Sequence, residues 1–150
     1  MVAPNWVSWQ KFHMHDHKNT VSKFYEAIGN NIDQTVIPEM LDEQFSFRGS
    51  LGLVKRGRHG FLAYMAFVRG ALGEYRCEIV EMVAENDKVY ARIHYSGVHR
   101  GELFGYQATG IKLTWDGIAV FTFIDGKIAE LWVLGDVHSI MRQLSRHLDE

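Results

Sequence analysis

Long segments in which apolar and polar residues alternate fill the second half of the chain, and they constrain its fold more than any other feature. Four of them follow one another, at residues 75–84, 89–99, 113–124 and 127–134. The polar stretch 85–88 is short enough for a hairpin between the first two, and Asp125-Gly126 is a strong two-residue turn signal between the last two. The pattern predicts an antiparallel meander of strands.

Helical periodicity appears before and after these segments. Apolar residues fall at helical spacing in four stretches, at residues 18–29, 35–41, 60–72 and 140–148. Gly73 stands where a glycine often ends a helix, so we expect it to cap the third stretch. Helices on either side of a meander predict an α+β fold, in which helices pack on one side of a curved antiparallel sheet and leave a hollow.

Length and charge narrow the classes of protein. The 150 residues suffice for one substantial core, so we expect a single domain over residues 1–150 with its core at 18–148. The net charge of −2 gives no basic field for a nucleic acid, and no stretch approaches the roughly 20 apolar residues of a membrane span. Since no secretory signal is visible and Cys77 is the only cysteine, we expect a cytoplasmic protein. We also expect a homodimer that forms through the sheet.

Asp136 is the most informative polar residue because it follows the almost unbroken apolar stretch 128–134. A carboxylate held between apolar walls loses hydration, which raises the pKa of the carboxyl group toward the range useful for proton transfer. Asp136 also stands directly before the last helical stretch, where its oxygen would cap the helix by accepting a hydrogen bond from the Ser139 backbone. The residues alone leave the two roles, acid/base group and helix cap, equally open.

The histidines are weaker candidates for chemistry. His99 closes the second strand segment, and a histidine at a strand end can transfer protons near neutral pH, although one such group does not make a site. His13, His15 and His17 alternate as metal ligands on an extended segment would, but they stand beside a helical stretch. We therefore expect these three in a solvent-exposed N-terminal segment, and we expect no metal.

Large apolar side chains supply candidates for a ligand pocket. Trp115 and Trp132 lie on strands joined by the Asp125-Gly126 turn, so they would form an aromatic wall for a planar ligand or, equally, part of a plain core. Further wall candidates come from the helices, from the glycine-rich connection after His99 and from the strand expected to face Asp136: Tyr25, Tyr64, Phe104, Ile118 and Val120.

A set of short strings, in one order and spacing over residues 18–144, forms a recognisable pattern. They are Ser96-Gly97-Val98-His99-Arg100-Gly101-Glu102-Leu103-Phe104-Gly105, Ala108-Thr109-Gly110, Asp125-Gly126-Lys127-Ile128-Ala129-Glu130-Leu131-Trp132, Asp136 and Gln143-Leu144. This pattern resembles the SnoaL-like polyketide cyclases, also called ester cyclases. That family belongs to the nuclear-transport-factor-2-like superfamily, so the resemblance implies a cone of curved sheet and helices with a deep pocket.

The resemblance also implies a function. The family's cyclases close a polyketide ring by intramolecular aldol condensation without metal or cofactor. By similarity, Asp136 would be the catalytic acid/base, and His99 would match the histidine of the family's Gly-Thr-His-x-Gly pattern, at or near the pocket. We therefore expect cofactor-independent proton transfer on a small apolar or aromatic carbonyl compound. The alternatives are a non-catalytic small-molecule-binding module of the same fold and a dimerisation domain.

Overall fold

The computed structural model describes residues 5–29 and 35–149, with side chains from residue 16 onward. Its elements in chain order are α1 (Asn5–Ala27), α2 (Ile37–Met40), β1 (Leu41–Arg48), β2 (Val54–Arg56), α3 (Gly57–Ala71), β3 (Leu72–Glu85), β4 (Lys88–His99), β5 (Lys112–Ile124), β6 (Lys127–Gly135) and α4 (Val137–Asp149). The predicted α+β class is confirmed.

Six strands form one curved sheet in the order β2-β1-β6-β5-β4-β3. The predicted meander from β3 to β6 is confirmed, because each neighbouring pair within it is antiparallel. β1, however, pairs parallel with β6, with Phe47 opposite Leu131, so the sheet is mixed rather than purely antiparallel. No local feature of the sequence predicts this pairing, since its two strands are far apart in the chain.

The two hairpin turns within the meander also follow the prediction. Asp125 and Gly126 have φ values of 51° and 78°, the left-handed conformations that a type I′ turn requires at both positions. At the β3–β4 connection, Glu85 pairs with Lys88 and Asn86 has a φ of 55°. Both turns are therefore tight, and they fix where each pair of strands begins.

Alternation along the strands gives the sheet two different faces. On β5 the odd-numbered residues from Leu113 to Phe123 are buried, whereas the even-numbered residues are exposed or half-buried. The buried side, here called the inner face, packs against α1, α3 and α4. Phe24 of α1 has its ring 5.6 Å from the rings of both Phe61 and Phe121, which joins two helices to the sheet. The opposite side, the outer face, is not covered by any helix of the described residues.

Two helix boundaries differ from the prediction. α1 begins at Asn5 rather than near residue 18. α3 passes directly into β3 at Leu72, whose φ of −127° and ψ of 113° are extended, so the predicted capping role of Gly73 is wrong. Because the backbone is already extended at Leu72, the helix ends without a residue in the left-handed conformation. None of the helices within the described ranges combines the length and apolar character that a bilayer crossing requires.

The prediction of a solvent-exposed histidine segment is wrong at His17. This residue is only 8% exposed, and its ring stacks on Phe123 with the centroids 4.1 Å apart and the planes 9° from parallel. The flat imidazole therefore covers an apolar ring at the end of β5. The side chains of His13 and His15 lie outside the described residues. Within the described part of the chain, no three His, Cys, Asp or Glu side chains are grouped closely enough to hold a metal ion.

Candidate functional site

Side chains almost fill the space between the helices and the inner face. A cavity of about 20 Å³, here called the inner cavity, remains there, closed in part by Phe61, Met65 and Leu131. A water molecule needs roughly 10–15 Å³ of such space. The deep pocket that the resemblance implies is therefore reduced in this structure to room for about one water.

Four tyrosines line this inner cavity and keep it electrically neutral. Burial raises the pKa of Tyr25, Tyr75 and Tyr95 above the usual value of 10.0. It also raises the pKa of Tyr64, although hydrogen bonds at that hydroxyl, including one from the Leu51 backbone N–H at 3.3 Å, act in the opposite direction. The Tyr25 hydroxyl lies near that of Tyr95 but makes no hydrogen bond of ordinary geometry within the described residues.

No carboxylate of the described residues reaches this interior. The polar side chains buried in the core are those of His17, Ser50 and His99, and each described aspartate or glutamate is exposed or half-buried. Burial also raises the pKa of the Cys77 thiol to about 12, so that group stays protonated as well. The interior as packed here therefore holds neither a carboxylate of the described residues nor a thiolate.

His99 is fully buried at the end of β4, where it holds the connection that follows. The Thr109 backbone N–H donates to Nδ1 of His99 at 3.2 Å, and the Thr109 hydroxyl lies 2.9 Å from the same nitrogen. Because Nδ1 accepts, the proton of the neutral ring is on Nε2, which has no partner in the described part of the chain. His99 lines neither the inner cavity nor the cleft that contains Asp136, so the structure does not bring the two predicted catalytic residues together.

Asp136 lies at the start of α4 on the outer face, not at the mouth of the inner cavity. Its Oδ1 accepts a hydrogen bond from the Ser139 backbone N–H at 3.1 Å, which is the geometry of a helix cap. Its own N–H donates to the Asp116 carbonyl oxygen at 2.9 Å and so extends β6 alongside β5. The side chain is exposed, and its second carboxylate oxygen remains available to a ligand.

The predicted wall residues occupy three separate places. Those on the inner side are Tyr25, Tyr64 and Trp115. Those on the outer face are Ile118, Val120 and Trp132. Phe104 stands apart from both groups, at a tight turn between Leu103 and Tyr106, where it is 36% exposed and has a φ of 51°.

A bulge in β6 is the reason that Trp115 and Trp132 do not share a wall. Phe123 pairs with Ile128, but the next pair is Thr122 with Glu130, so Ala129 is an extra residue. One extra residue moves every later side chain of a strand to the other face. Trp132 therefore points to the outer face, and Asp136, further along the chain, lies on the same face.

Asp136 lines an open cleft of about 600 Å³ on the outer face, here called the outer cleft. Ile118 and Leu134 give it an apolar surface, and Arg48 and Arg92 bring two cations to it. Arg48 is held by a hydrogen bond to the Val133 carbonyl and by the Trp132 ring, whose centroid lies 5.3 Å from the guanidinium. Arg92 has its Nε 3.4 Å from a carboxylate oxygen of Glu81. The outer cleft thus combines an apolar surface, one carboxylate oxygen of Asp136 that is available to a ligand, and the two guanidinium groups of Arg48 and Arg92.

Sequence reasoning missed a polar pair beside this cleft. His94 and Asp116 stand directly opposite each other on β4 and β5, and Nδ1 of His94 is 2.7 Å from Oδ1 of Asp116. Neither residue belongs to a motif. The signal that could have found them is strand register, since pairing the two alternating segments places both on one face.

Gln143 fixes α4 against the free edge of β5 beyond the end of β6. Its side-chain amide donates to the Thr114 carbonyl oxygen at 2.8 Å, and its side-chain oxygen accepts from the Thr114 N–H at 3.1 Å. The same amide donates to the Ser139 carbonyl oxygen at 3.0 Å. Gln143 therefore replaces the missing neighbouring strand and sets the position of the helix that Asp136 caps.

The curved sheet with helices on one side defines the class of the protein as nuclear-transport-factor-2-like. Within that class, the profile of the SnoaL-like polyketide cyclases matches residues 19–144. The chain therefore belongs to the SnoaL-like polyketide cyclase family. A search of curated proteins found no significant match.

Solved structures support the same fold. A protein of Jannaschia sp. CCS1, provisionally assigned as a SnoaL-like polyketide cyclase, has a TM-score of 0.78 at 18% identity, with 88% of this chain and 93% of that one covered. TsrD from Streptomyces laurentii has a TM-score of 0.75 at 25% identity, with 87% and 95% covered. IdmH from Streptomyces antibioticus, provisionally assigned as a polyketide cyclase, has a TM-score of 0.74 at 23% identity, with 86% and 98% covered.

Proposed function

We propose that this chain moves a proton on a small, largely apolar carbonyl compound bound in the outer cleft, with Asp136 as the acid/base group and without a cofactor. The observation that supports it is the position of Asp136, whose exposed carboxylate lies beside Ile118 and Leu134 in a cleft of about 600 Å³. Small-molecule sites usually have such volumes, with mostly apolar walls and a few polar groups.

The Asp136 carboxylate has one oxygen for chemistry, because the other accepts the Ser139 N–H. The free oxygen takes a proton from the carbon next to a carbonyl group, and the electron pair of that C–H bond moves toward the carbonyl oxygen. Arg48 and Arg92 stabilise the resulting negative charge by Coulomb attraction. In a SnoaL-like cyclisation, the enolate carbon then attacks a second carbonyl group of the same molecule.

Hydrogen–deuterium exchange at the methyl group of acetophenone in D₂O, followed by NMR, tests this proposal without the natural substrate. We expect the wild-type protein to accelerate the exchange and Asp136→Asn to abolish the acceleration. Asparagine is as good a helix cap as aspartate, so the variant keeps its fold. Asp125→Asn is the matched control, because Asn-Gly suits the same type I′ turn at the opposite end of β6. Equal exchange rates in the wild type and Asp136→Asn would refute the proposal.

A second candidate function is binding of an aromatic ligand inside the cone, without catalysis. Tyr25 and Cys77 line both the inner cavity and a surface cleft of about 680 Å³, so these two side chains form part of the wall between the two spaces. Rotation of Tyr25 would join them. This function predicts that Tyr25→Ala strengthens the binding of naphthol, measured by its fluorescence, and that Asp136→Asn leaves it unchanged. The catalytic proposal predicts no gain in Tyr25→Ala.

We also propose a homodimer that forms through an apolar row on the outer face. Tyr90, Val120 and Trp132 stand in register across β4, β5 and β6. Tyr90 is 51% exposed and Trp132 is 40% exposed, and adjoining apolar side chains of this size mark association surfaces. Sedimentation velocity should find a dimer for the wild type and a monomer for Tyr90→Glu, and a monomeric wild type would contradict the proposal. The cytoplasmic location remains a prediction from the sequence.

A further inference from the structure

The geometry points to His94 as a second proton-transfer group at the edge of the outer cleft, where Asp116, which lines that cleft, holds its ring opposite Asp136. His94 itself lines the neighbouring surface cleft of about 680 Å³. This inference rests on the proposed function, and it names the acid that a ring-closing step needs in addition to its base. Asp136 takes its proton at the carbon that becomes the nucleophile, whereas the attacked oxygen lies on the far side of the new C–C bond. A second group on that side of the ligand can protonate this oxygen directly.

The hydrogen bond between His94 and Asp116 sets which ring nitrogen is available. Nδ1 of His94 is 2.7 Å from Oδ1 of Asp116. An ionised carboxylate only accepts hydrogen bonds, so Nδ1 carries the hydrogen and donates it. Nε2 then faces solvent or a ligand, since it has no hydrogen-bond partner among the described residues. A carboxylate that fixes the tautomer of a histidine in this way leaves Nε2 as the acid or base.

Asp116 stands between His94 and Asp136 in one row across the outer face. It is paired with His94 on β4, and its carbonyl oxygen accepts the Asp136 N–H from the β6 side. Neighbouring strands are about 4.8 Å apart, so the backbones of His94 and Asp136 are about 10 Å from each other. A phenyl-substituted linear diketone bridges a gap of this size, with one carbonyl group near each residue.

Charged groups of both signs face His94. Glu78 stands opposite it on β3, as Asp116 does on β5. The surface cleft that His94 lines also contains charged side chains from α1, β3 and β5: Glu26, Arg76 and Lys112. The pH profile of a reaction at this site therefore reports on His94 together with these neighbours, and a test must compare variants rather than absolute pH values.

The ring-closing step balances with these side chains alone. Asp136 takes a proton from the carbon next to one carbonyl group, which forms the enolate, and the enolate carbon then forms the new C–C bond to the carbon of a second carbonyl. The π electrons of the second carbonyl move onto its oxygen, which takes the proton from Nε2 of a His94 ring that starts with hydrogens on both nitrogens. Asp136 ends protonated and His94 ends neutral. Both are exposed enough to exchange one proton with water and return to the starting state.

Two reactions separate the base from the acid. The first is acetophenone exchange, which needs only the base, and the second is closure of a phenyl-substituted linear diketone to a six-membered ring, followed by absorbance. We expect His94→Gln to slow ring closure about 10²–10⁴-fold and to remove the alkaline limb of its pH profile. His59→Gln, at an exposed histidine of α3, is the control and should change neither reaction.

Asp116→Asn tests the positioning role through a readout that packing alone does not move. NMR of the ring nitrogens should find the hydrogen of neutral His94 on Nδ1 in the wild type. In Asp116→Asn the amide can donate to Nδ1, so the hydrogen of the neutral ring should move to Nε2. Ring closure should slow as in His94→Gln, because no carboxylate then stabilises the doubly protonated ring that donates from Nε2. If the wild type does not catalyse acetophenone exchange, the proposed function fails and this inference fails with it. If that exchange depends on Asp136 while ring closure is equal in His94→Gln and the wild type, only this inference is overturned.

Discussion

Replacing Asp136 separates its contribution to stability from its contribution to chemistry. Asp136→Ala removes the hydrogen bond from the Ser139 N–H to Oδ1, which is 3.1 Å long. Loss of such a cap costs about 0.5–2 kcal/mol. Because the group is exposed and water can replace the lost acceptor, we expect a decrease of about 1 kcal/mol in the free energy of unfolding. The attraction between a carboxylate and the N-terminal end of the helix dipole, about 0.3–1 kcal/mol, is part of this amount.

Asp136→Asn keeps the acceptor oxygen and loses only the charge, so its stability should fall by no more than about 0.5 kcal/mol. Urea unfolding of the three proteins at neutral pH measures both differences. For a chain of this length, about 1 kcal/mol corresponds to a change of about 2–4 °C in Tm. An alanine variant as stable as the wild type would show that the cap contributes nothing. An alanine variant more stable than the wild type would show a desolvated carboxylate, and the reasoning from an exposed Asp136 would be refuted.

Other predictions concern packing and pH. Gly49→Ala should lower the free energy of unfolding in urea by about 1–3 kcal/mol, because a Cβ there would overlap the Tyr64 ring, and an unchanged midpoint would contradict this. Gln143→Ala should cost about 1–3 kcal/mol and speed amide hydrogen exchange at Thr114, whose backbone loses two partners; unchanged exchange would speak against the anchoring role. Stability should fall as the pH rises above 10, because burial raises the pKa of Tyr75 above its usual 10.0 and the unfolded chain therefore loses its proton first. Tyr75→Phe should weaken this fall, and a wild-type stability that stays constant through that range would exclude the effect.

Local signals in the sequence were sufficient to predict the meander and its turns. The alternation of β5 predicts a strand with one buried face, and the Asp125-Gly126 pair predicts a type I′ turn; both are confirmed. These signals act over a few residues, so no distant partner is needed to interpret them. The parallel pairing of β1 with β6 has no such signal, and it was missed.

The position of the site could not be predicted, because one inserted residue decides it. If β6 is paired with β5 residue by residue from the Asp125-Gly126 turn onward, without a bulge, Trp132 falls on the inner face, together with Trp115. The extra residue Ala129 reverses this, and Asp136 then lies on the outer face as well. Nothing in the local sequence distinguishes an extra residue from a regular strand position.

The size of the inner cavity was equally beyond sequence reasoning. The tyrosines and phenylalanines assigned to the walls of a pocket are large enough to fill it, and whether they do so depends on how the helices pack on the sheet. The helix cap at Asp136, by contrast, was one of two roles that the sequence left open, and its hydrogen bond is present. Short-range chemistry was thus predictable, whereas three-dimensional volume was not.

Titration of the methyl-labelled protein with acetophenone, followed by NMR, tests most directly whether small molecules bind in the outer cleft. We predict that the methyl signals of Ile118 and Leu134, which line that cleft, shift with ligand concentration, while those of Met65 and Leu131 at the inner cavity do not. Shifts at Met65 and Leu131 without shifts at Ile118 and Leu134 would place the ligand inside the cone and contradict the account.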